Sequence, residues 1–339
     1  MLLRDELIRQ LDILQRETAP KVIVYRPVPI GFGGQVASRL EMLRLALFTG
    51  RTAIFPRVDD FPYTQIFEPM GPPYQESWQT AVPFDLTDGQ ENNAVFFDPL
   101  LHITRDGGSV QNRIQAGIAR RLGLPEMNSL VLDGMIFDWM KPTDEVAQWI
   151  KGQQSRLNIS EETLGVHVRR GDKRIETAFV PLVVIEAAIE HLVRRGDFKS
   201  LFVASDSQTT IDTLRRPPGL ELIYDSSEMR YDNANHKMLM SNRDLAEQET
   251  LTAFKNICLL GSCGAIVGQD NAHFATIAAA SIYCRMQDRE RISLIDGRYA
   301  EKNSGPLRAL FAAKRYARIG VKKVLPWMTV EQKRPRTKK

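Results

Sequence analysis

The feature that most restricts the fold of this chain is a regular alternation of short apolar strands and helices in its C-terminal half. Five runs rich in Val, Ile, Leu and Phe have the composition of buried strands; they cover residues 164–168, 200–204, 220–224, 265–268 and 292–295. Helical spacing of apolar residues separates most of them, over 181–195, 209–215, 243–260 and 272–283. This alternation predicts a parallel sheet with helices on both faces, as in a Rossmann-like domain.

The N-terminal half predicts a second α/β unit. A strand over 22–25 leads through the glycine-rich turn 31–35 into a helix over 36–49, which Gly50 caps before another strand begins at Thr52. This order is that of a βαβ unit. The fold class is therefore α/β with two Rossmann-like domains.

The length of 339 residues suits two domains rather than one. We predict an N-terminal domain over 1–150, a second domain over 151–305, and a C-terminal helix with a basic tail over 306–339. The first twenty residues are expected to form an amphipathic helix, and the proline- and aromatic-rich stretch 61–99 to form surface loops. Thr143 or Asp144 is expected to cap a helix.

The charge is unevenly distributed along the chain. Residues 314–339 carry ten Lys or Arg against one acid, Glu331, so this tail contributes +9 to the formal net charge of +4 and the rest contributes −5. An acidic body argues against a dedicated nucleic-acid-binding protein. The tail is either solvated or in contact with an anionic surface.

The cysteine content and the hydropathy favour a cytoplasmic protein. The chain has three cysteines without a C-x-x-C pair, and it has no apolar run long enough to span a membrane. Peripheral contact at the inner membrane face is an open alternative.

The letters Arg-Arg-Gly-Asp occur twice, at 169–172 and at 194–197. The first copy follows a predicted strand, where open α/β sheets bind their ligands, and its two guanidinium groups suit a diphosphate. The second copy follows a predicted helix, where arginines suit the negative end of the helix and Gly196 suits a C-cap. We therefore interpret the first copy as an anion site, with a structural arginine pair as the alternative, and the second as a helix terminus.

Further candidates surround the first copy. Glu176 is the candidate general base for an attacking hydroxyl, and Lys173 can hold it ionised, although a solvated surface pair is the alternative. Asp206 ends a strand, where it either reads a nucleoside or caps a helix. His167 is either a nucleoside contact or a satisfied core histidine.

Two other segments are candidates for the same crevice. The turn containing Gly33, Gly34 and Gln35 either lets backbone amides approach a phosphate or is a plain tight turn. Asp270 and Asn271 follow another strand and open a helix, so they either face the crevice or cap that helix. The chain has no D-x-D triplet, so no metal ion is predicted.

These motifs resemble those of the fucosyltransferase superfamily, which includes alpha-1,6-, nodulation, alpha-1,2- and protein O-fucosyltransferases. The sequence 167–173, His-Val-Arg-Arg-Gly-Asp-Lys, is similar to their H-x-R-R signature, and its continuation over 176–179 is similar to the alpha-1,6 branch. The glycine motif, the segment 204–206 and the region 250–275 extend the resemblance.

The resemblance implies a GT-B-like architecture with an interdomain cleft, GDP-fucose as donor, inversion at the anomeric carbon, and neither metal nor cofactor. It implies that the first domain binds an oligosaccharide or glycoconjugate acceptor and the second binds the nucleotide sugar. The implied donor-binding residues, beside the glycine motif and the segment 270–271, are His167, Arg169, Arg170, Asp172 and Asp206, and the implied catalytic residues are Arg170, Lys173 and Glu176. Ser207 and Asn256 stand where alpha-1,6 enzymes tend to have acids. An alpha-1,2 linkage, another donor sugar, and a non-catalytic glycan- or nucleotide-binding protein therefore remain alternatives.

Overall fold

The computed structural model describes residues 2–16, 21–26, 31–56, 66–84, 92–97, 107–124, 127–170, 179–230, 238 and 241–296. The N-terminal elements are α1 (Leu2–Arg16), β1 (Val22–Tyr25), α2 (Phe32–Thr49), β2 (Thr52–Ile54), a 3-10 helix (Glu76–Thr80), β3 (Val82–Pro83), β4 (Ala94–Phe97), α3 (Gly107–Arg121), α4 (Ser129–Trp139) and α5 (Asp144–Arg156). The C-terminal elements are β5 (Thr163–Val168), α6 (Leu182–Val193), β6 (Ser200–Ser205), α7 (Gln208–Thr213), β7 (Glu221–Ile223), α8 (Arg243–Ser262), β8 (Ala265–Gln269), α9 (His273–Met286), a 3-10 helix (Arg289–Arg291) and β9 (Ile292–Ile295).

The second sheet confirms the predicted alternation. Its five strands are parallel in the order β7-β6-β5-β8-β9. β5 is fully buried because helices cover both faces of the sheet. The strand order reverses between β5 and β8, and at such a switch point the loops diverge and leave a crevice at the carboxyl ends of the strands.

The first sheet contains two strands that the sequence interpretation missed. Its parallel order is β2-β1-β4-β3, and β3 and β4 lie inside the stretch that was expected to form only surface loops. The prediction of a βαβ unit is confirmed for β1, α2 and β2. Gly50 ends α2 as predicted, with a φ of 70°. α1 is confirmed, and the Thr143 hydroxyl caps α5 by accepting from the Val146 amide.

The two sheets share one continuous packing interface. α4 of the first half packs against α9 of the second. Phe254 of α8 lies at the centre of this interface, 5.0 Å from the ring of Phe67 and 6.1 Å from that of Phe32.

The predicted boundary between residues 150 and 151 falls inside α5. The predicted tail 306–339 lies outside the described residues. None of the described helices combines the length and the apolar composition of a membrane span.

Candidate functional site

The carboxyl edge of the second sheet brings the first Arg-Arg copy to the switch point. β5 ends at Val168, so Arg169 and Arg170 are the first two residues beyond the strand. β6 ends at Ser205, and Asp206 follows it directly. Because β5 and β6 are parallel and His167 is in register with Ala204, these ends lie side by side.

Asp206 holds both arginines. Its Oδ2 lies 2.9 Å from Nη1 of Arg169, and its Oδ1 accepts a hydrogen bond of 2.7 Å from the backbone amide of Arg170. The Asp206 side chain is 11% exposed and that of Arg169 is 33% exposed, so the guanidinium still reaches solvent at the crevice. Asp206 does not cap α7, which Ser207 caps instead. The prediction that Asp206 reads a nucleoside stays a prediction; in the structure it pairs with the Arg169 guanidinium and accepts from the Arg170 backbone.

The guanidinium of Arg170 contacts the residues that precede α6. Its Nη2 donates a hydrogen bond of 2.6 Å to the carbonyl of Val180, and its guanidinium lies 5.0 Å from the centre of the Phe179 ring. The group is therefore fixed in direction by the chain that returns to α6. A cation held in this way loses little conformational entropy when it binds an anion.

His167 is buried near the end of β5. Its ring lies 5.3 Å from that of Phe274 on α9, and its Nδ1 makes no hydrogen bond with any described residue. Burial, with the charge of Arg169 as a second cause, lowers the pKa of His167 to about 3. The imidazole is therefore neutral at physiological pH and has one nitrogen that can donate and one that can accept.

The glycine motif is part of a helix rather than a turn before one. Gly31 is the N-cap of α2, so Gly33, Gly34 and Gln35 lie in its first turn, which corrects the predicted helix start at residue 36. A Cβ on Gly33 would lie 2.8 Å from ring carbons of Phe274, whereas a Cβ on Gly31 would have no atom within 4 Å. Gly33 therefore permits close approach between α2 and α9. Gln35 is buried, and its backbone N–H donates to the Gly31 carbonyl.

Asp270 and Asn271 form an exposed turn between β8 and α9. The N-cap of α9 is Ala272, with no side-chain cap, so the alternative in which Asp270 or Asn271 caps this helix is wrong. The turn lies on the other side of the switch point from Arg169, because β8 is the neighbour of β5.

Three predicted residues, Asp172, Lys173 and Glu176, lie outside the described residues. Within the described part of the chain, no three His, Cys, Asp or Glu side chains come together as metal ligands would. The prediction that no metal is bound stays a prediction.

Glu249 is the residue at this edge that the sequence interpretation missed. It lies in the second turn of α8, is partly buried, and interacts electrostatically with Arg169, Asp206, Glu228 and Arg230. Burial, with the negative charge of Glu228 as a second cause, raises the pKa of Glu249 to about 8. A strongly shifted carboxyl in a crevice is a signal of function that spacing alone does not provide.

No protein-family model and no curated protein sequence matches the chain. Among solved structures, a point mutant of Arabidopsis thaliana FUT1 in complex with GDP matches with a TM-score of 0.50 and 12% identity, over 81% of this chain and 71% of that one. NodZ alpha-1,6-fucosyltransferase soaked with GDP-fucose, an enzyme also solved from Bradyrhizobium, matches with a TM-score of 0.46 and 16% identity, over 77% and 93% of the two chains. POFUT1 in complex with GDP-fucose matches with a TM-score of 0.46 and 14% identity, over 82% and 98%.

These likenesses concern the fold. The match to FUT1 supports the predicted GT-B-like α/β architecture, and the resemblance to fucosyltransferases is confirmed at that level.

Proposed function

We propose that this chain is a glycosyltransferase that moves fucose from GDP-fucose to a hydroxyl of an oligosaccharide or glycoconjugate, by inversion, without a metal ion and with alpha-1,6-type linkage. The observation that carries the proposal is the pair Arg169 and Arg170 at the switch point, where Asp206 pairs with the Arg169 guanidinium and accepts from the Arg170 backbone amide. Supporting it, the FUT1 structure that shares this fold is a complex with GDP.

In the proposed reaction the donor diphosphate lies against Arg169 and Arg170. The bond between the anomeric carbon and the β-phosphate oxygen breaks while the acceptor oxygen attacks from the opposite face. Negative charge then grows on the departing diphosphate, where two fixed cations stabilise the transition state. Because arginine stays protonated at any working pH, this stabilisation needs no proton transfer.

The acceptor proton needs a base, for which we propose Glu176 with Lys173 beside it. Neutral His167 and Asp206 are proposed to contact the nucleoside, and Asp172 the diphosphate. Gly33, Gly34 and Gln35, in the first turn of α2, and Asp270 and Asn271, in the turn after β8, are proposed to line the donor side of the crevice. Amides of a helix first turn point toward an anion at that end.

We also propose a cytoplasmic location, with the basic tail 306–339 free to touch an anionic membrane surface and no nucleic-acid partner. Sedimentation with phosphatidylserine vesicles, before and after removal of residues 326–339, tests this contact. Equal sedimentation of both proteins contradicts it.

The donor is tested by background hydrolysis, which needs no knowledge of the acceptor. The purified chain is incubated with GDP-fucose, GDP-mannose, UDP-glucose and other nucleotide sugars, with and without EDTA, and release of free sugar is measured. We expect hydrolysis of GDP-fucose, unchanged by EDTA. Preference for another donor identifies the same-fold alternative, and calorimetric binding of GDP without turnover identifies a binding protein. Strict dependence on added metal contradicts the metal-independent mechanism.

A further inference from the structure

Two arginines lie at the carboxyl edge of the first sheet, the edge at which open α/β sheets bind their ligands. β1 ends at Tyr25, so Arg26 is the first residue beyond it. Arg39 belongs to α2, which follows β1, and its Nη1 lies 3.3 Å from the carbonyl oxygen of Gln35, one turn earlier in the helix. The guanidinium of Arg39 is therefore directed toward the beginning of α2, at the same edge of the sheet.

Arg26 lies on the face of the sheet away from α2. Its Cζ is 3.8 Å from the centre of the Phe96 ring of β4, which packs on the same side as Val24. Its backbone N–H donates to the carbonyl of Phe97, so the residue is held beside the end of β4. Arg26 is exposed, and no carboxylate among the described residues pairs with its guanidinium. The ring holds this cation without neutralising its charge.

Arg39 lies on the α2 face of the same edge, close to two aromatic rings. Its Cζ is 5.3 Å from the centre of the Tyr25 ring and 5.9 Å from that of Phe55, which follows β2. Arg39 is partly buried, and burial lowers its pKa, with Tyr25 acting in the opposite direction. Within the described ranges Arg39, like Arg26, pairs with no carboxylate. Aromatic faces attract a cation but offer no lone pairs to its five N–H donors.

Arg51 shows how the same sheet accommodates an arginine with a structural role. Its side chain is fully buried at the opposite, amino-terminal edge, and its Nη1 donates to three backbone carbonyls, the nearest that of Asn92 at 2.8 Å. Backbone oxygens thus take up the donors of Arg51. Among the described residues, the side chains of Arg26 and Arg39 make a single long hydrogen bond between them, so their donors suit a ligand.

The edge that carries these two arginines adjoins the end of β5. A Cβ on Gly33, in the first turn of α2, would lie 2.8 Å from the Phe274 ring of α9. That ring lies 5.3 Å from the ring of His167, near the end of β5. A single aromatic ring therefore separates the beginning of α2 from the proposed donor site, and a molecule bound at the first sheet lies where an acceptor must be.

Resting on the proposed function, we infer that the acceptor is an acidic glycan and that Arg26 and Arg39 bind its carboxylate or phosphate group. Both groups present oxygens that match the fork of a guanidinium. A neutral glycan would leave the two cations without a counter-ion among the described residues, whereas an acidic glycan supplies that charge. The acid group is not altered in the transfer; it fixes the orientation of the acceptor beside the donor.

The test measures fucose transfer to matched acidic and neutral glycans. The purified full chain is incubated with radiolabelled GDP-fucose on an array in which each carboxylate-bearing glycan is paired with its methyl ester and each phosphate-bearing glycan with its dephosphorylated form. Wild type should label acidic members about tenfold or more above their neutral partners, because a hydrogen bond between charged groups is lost in the neutral form. Label on the carboxylate pairs or on the phosphate pairs supports the inference and identifies the group.

The variants connect this preference to the two arginines. Arg26→Gln and Arg39→Gln should each lower the ratio of acidic to neutral labelling by about tenfold. Arg16→Gln is the matched control, because Arg16 ends α1 near the amino-terminal edge of the same sheet, and its side chain is 80% exposed. This variant should keep the wild-type ratio. Arg26 is exposed, so its variant tests the inference even if Arg39→Gln does not fold, which circular dichroism shows.

The outcomes separate this inference from the proposed function. Release of free fucose from GDP-fucose with label on neutral glycans only, or on none, overturns the inference and leaves the proposed donor standing. Equal losses on acidic and neutral glycans also overturn it, because they would mean a structural role, such as a pair with Asp59 or Asp98, which lie outside the described residues. Absence of both transfer and release of fucose overturns the proposed function together with the inference.

Discussion

Arg169 and Arg170 follow the central strand of the second sheet, whereas Arg194 and Arg195 follow the last turn of α6. The first pair converges on Asp206 at the switch point of the second sheet. In the second pair, Arg194 lies 3.7 Å from Glu190 and Arg195 pairs with Glu290, with all four side chains at least 45% exposed. The same letters therefore form a cation pair aimed at a crevice in one place and solvated surface pairs in the other.

The comparison teaches that the carboxyl end of a buried parallel strand, not the dipeptide, makes the site. A strand end is held in position by its neighbours on both sides, so two arginines there have fixed directions. A helix end projects its side chains into water, where ion pairs contribute little.

The largest expected difference between the two copies is in donor turnover. Arg169→Ala and Arg170→Ala should each lower GDP-fucose hydrolysis by about a hundredfold or more, because a cation is lost where charge develops. Arg195→Ala should leave the rate unchanged. Initial rates at saturating donor measure this effect, and equal losses from both copies would contradict the distinction between strand end and helix end.

A smaller difference is expected for the carboxylates that hold each copy. Asp206→Asn removes the charge that pairs with Arg169 and should raise the dissociation constant for GDP by about tenfold, by loosening one charge-assisted contact. Glu290→Gln, at an exposed pair, should alter neither GDP affinity nor folding. Calorimetry with GDP and thermal unfolding separate the two effects: a change in unfolding temperature without a change in affinity would make Asp206 purely structural.

The two glycines of the first motif extend the same comparison to packing. Gly33→Ala should cost about 1–3 kcal/mol of unfolding free energy, because its Cβ would overlap the Phe274 ring. Gly31→Ala should cost less than about 1 kcal/mol, because its φ of −58° suits alanine and the space around it is open. Urea unfolding of both variants measures the difference; equal costs would show that α2 and α9 can separate to admit the methyl group.

Much of the second domain could be predicted from sequence because each strand is a short apolar run bounded by polar residues. β9 agrees with its predicted bounds, and β5 and β6 begin or end within one residue of theirs. The convergence of Arg169 and Asp206 follows from parallel neighbouring strands, so the core of the site was predictable as well.

The parts that were missed depend on tertiary contacts. β4 has only four residues in a stretch rich in turn formers, and its pairing with β1 makes it a strand. The first turn of α2 contains two glycines, which disfavour helix, yet packing against Phe274 outweighs that preference. The raised pKa of Glu249 depends on its burial and on charges that follow β5, β6 and β7, which helical spacing does not reveal. Gly196 was predicted to be a C-cap, but the C-cap of α6 is Arg194 with a right-handed φ of −67°.

The smallest expected effect belongs to Arg194. Its pair with Glu190 joins exposed side chains one helical turn apart, so Arg194→Ala should lower the unfolding free energy by less than about 0.5 kcal/mol. That small loss should disappear in about 1 M salt, where the Debye length is about 3 Å and the pair is already screened. Urea unfolding at low and high salt measures it. A loss that persists at high salt would mean that Arg194 stabilises α6 by packing of its aliphatic stem rather than by charge, and the helical copy would then be a structural contact of a different kind.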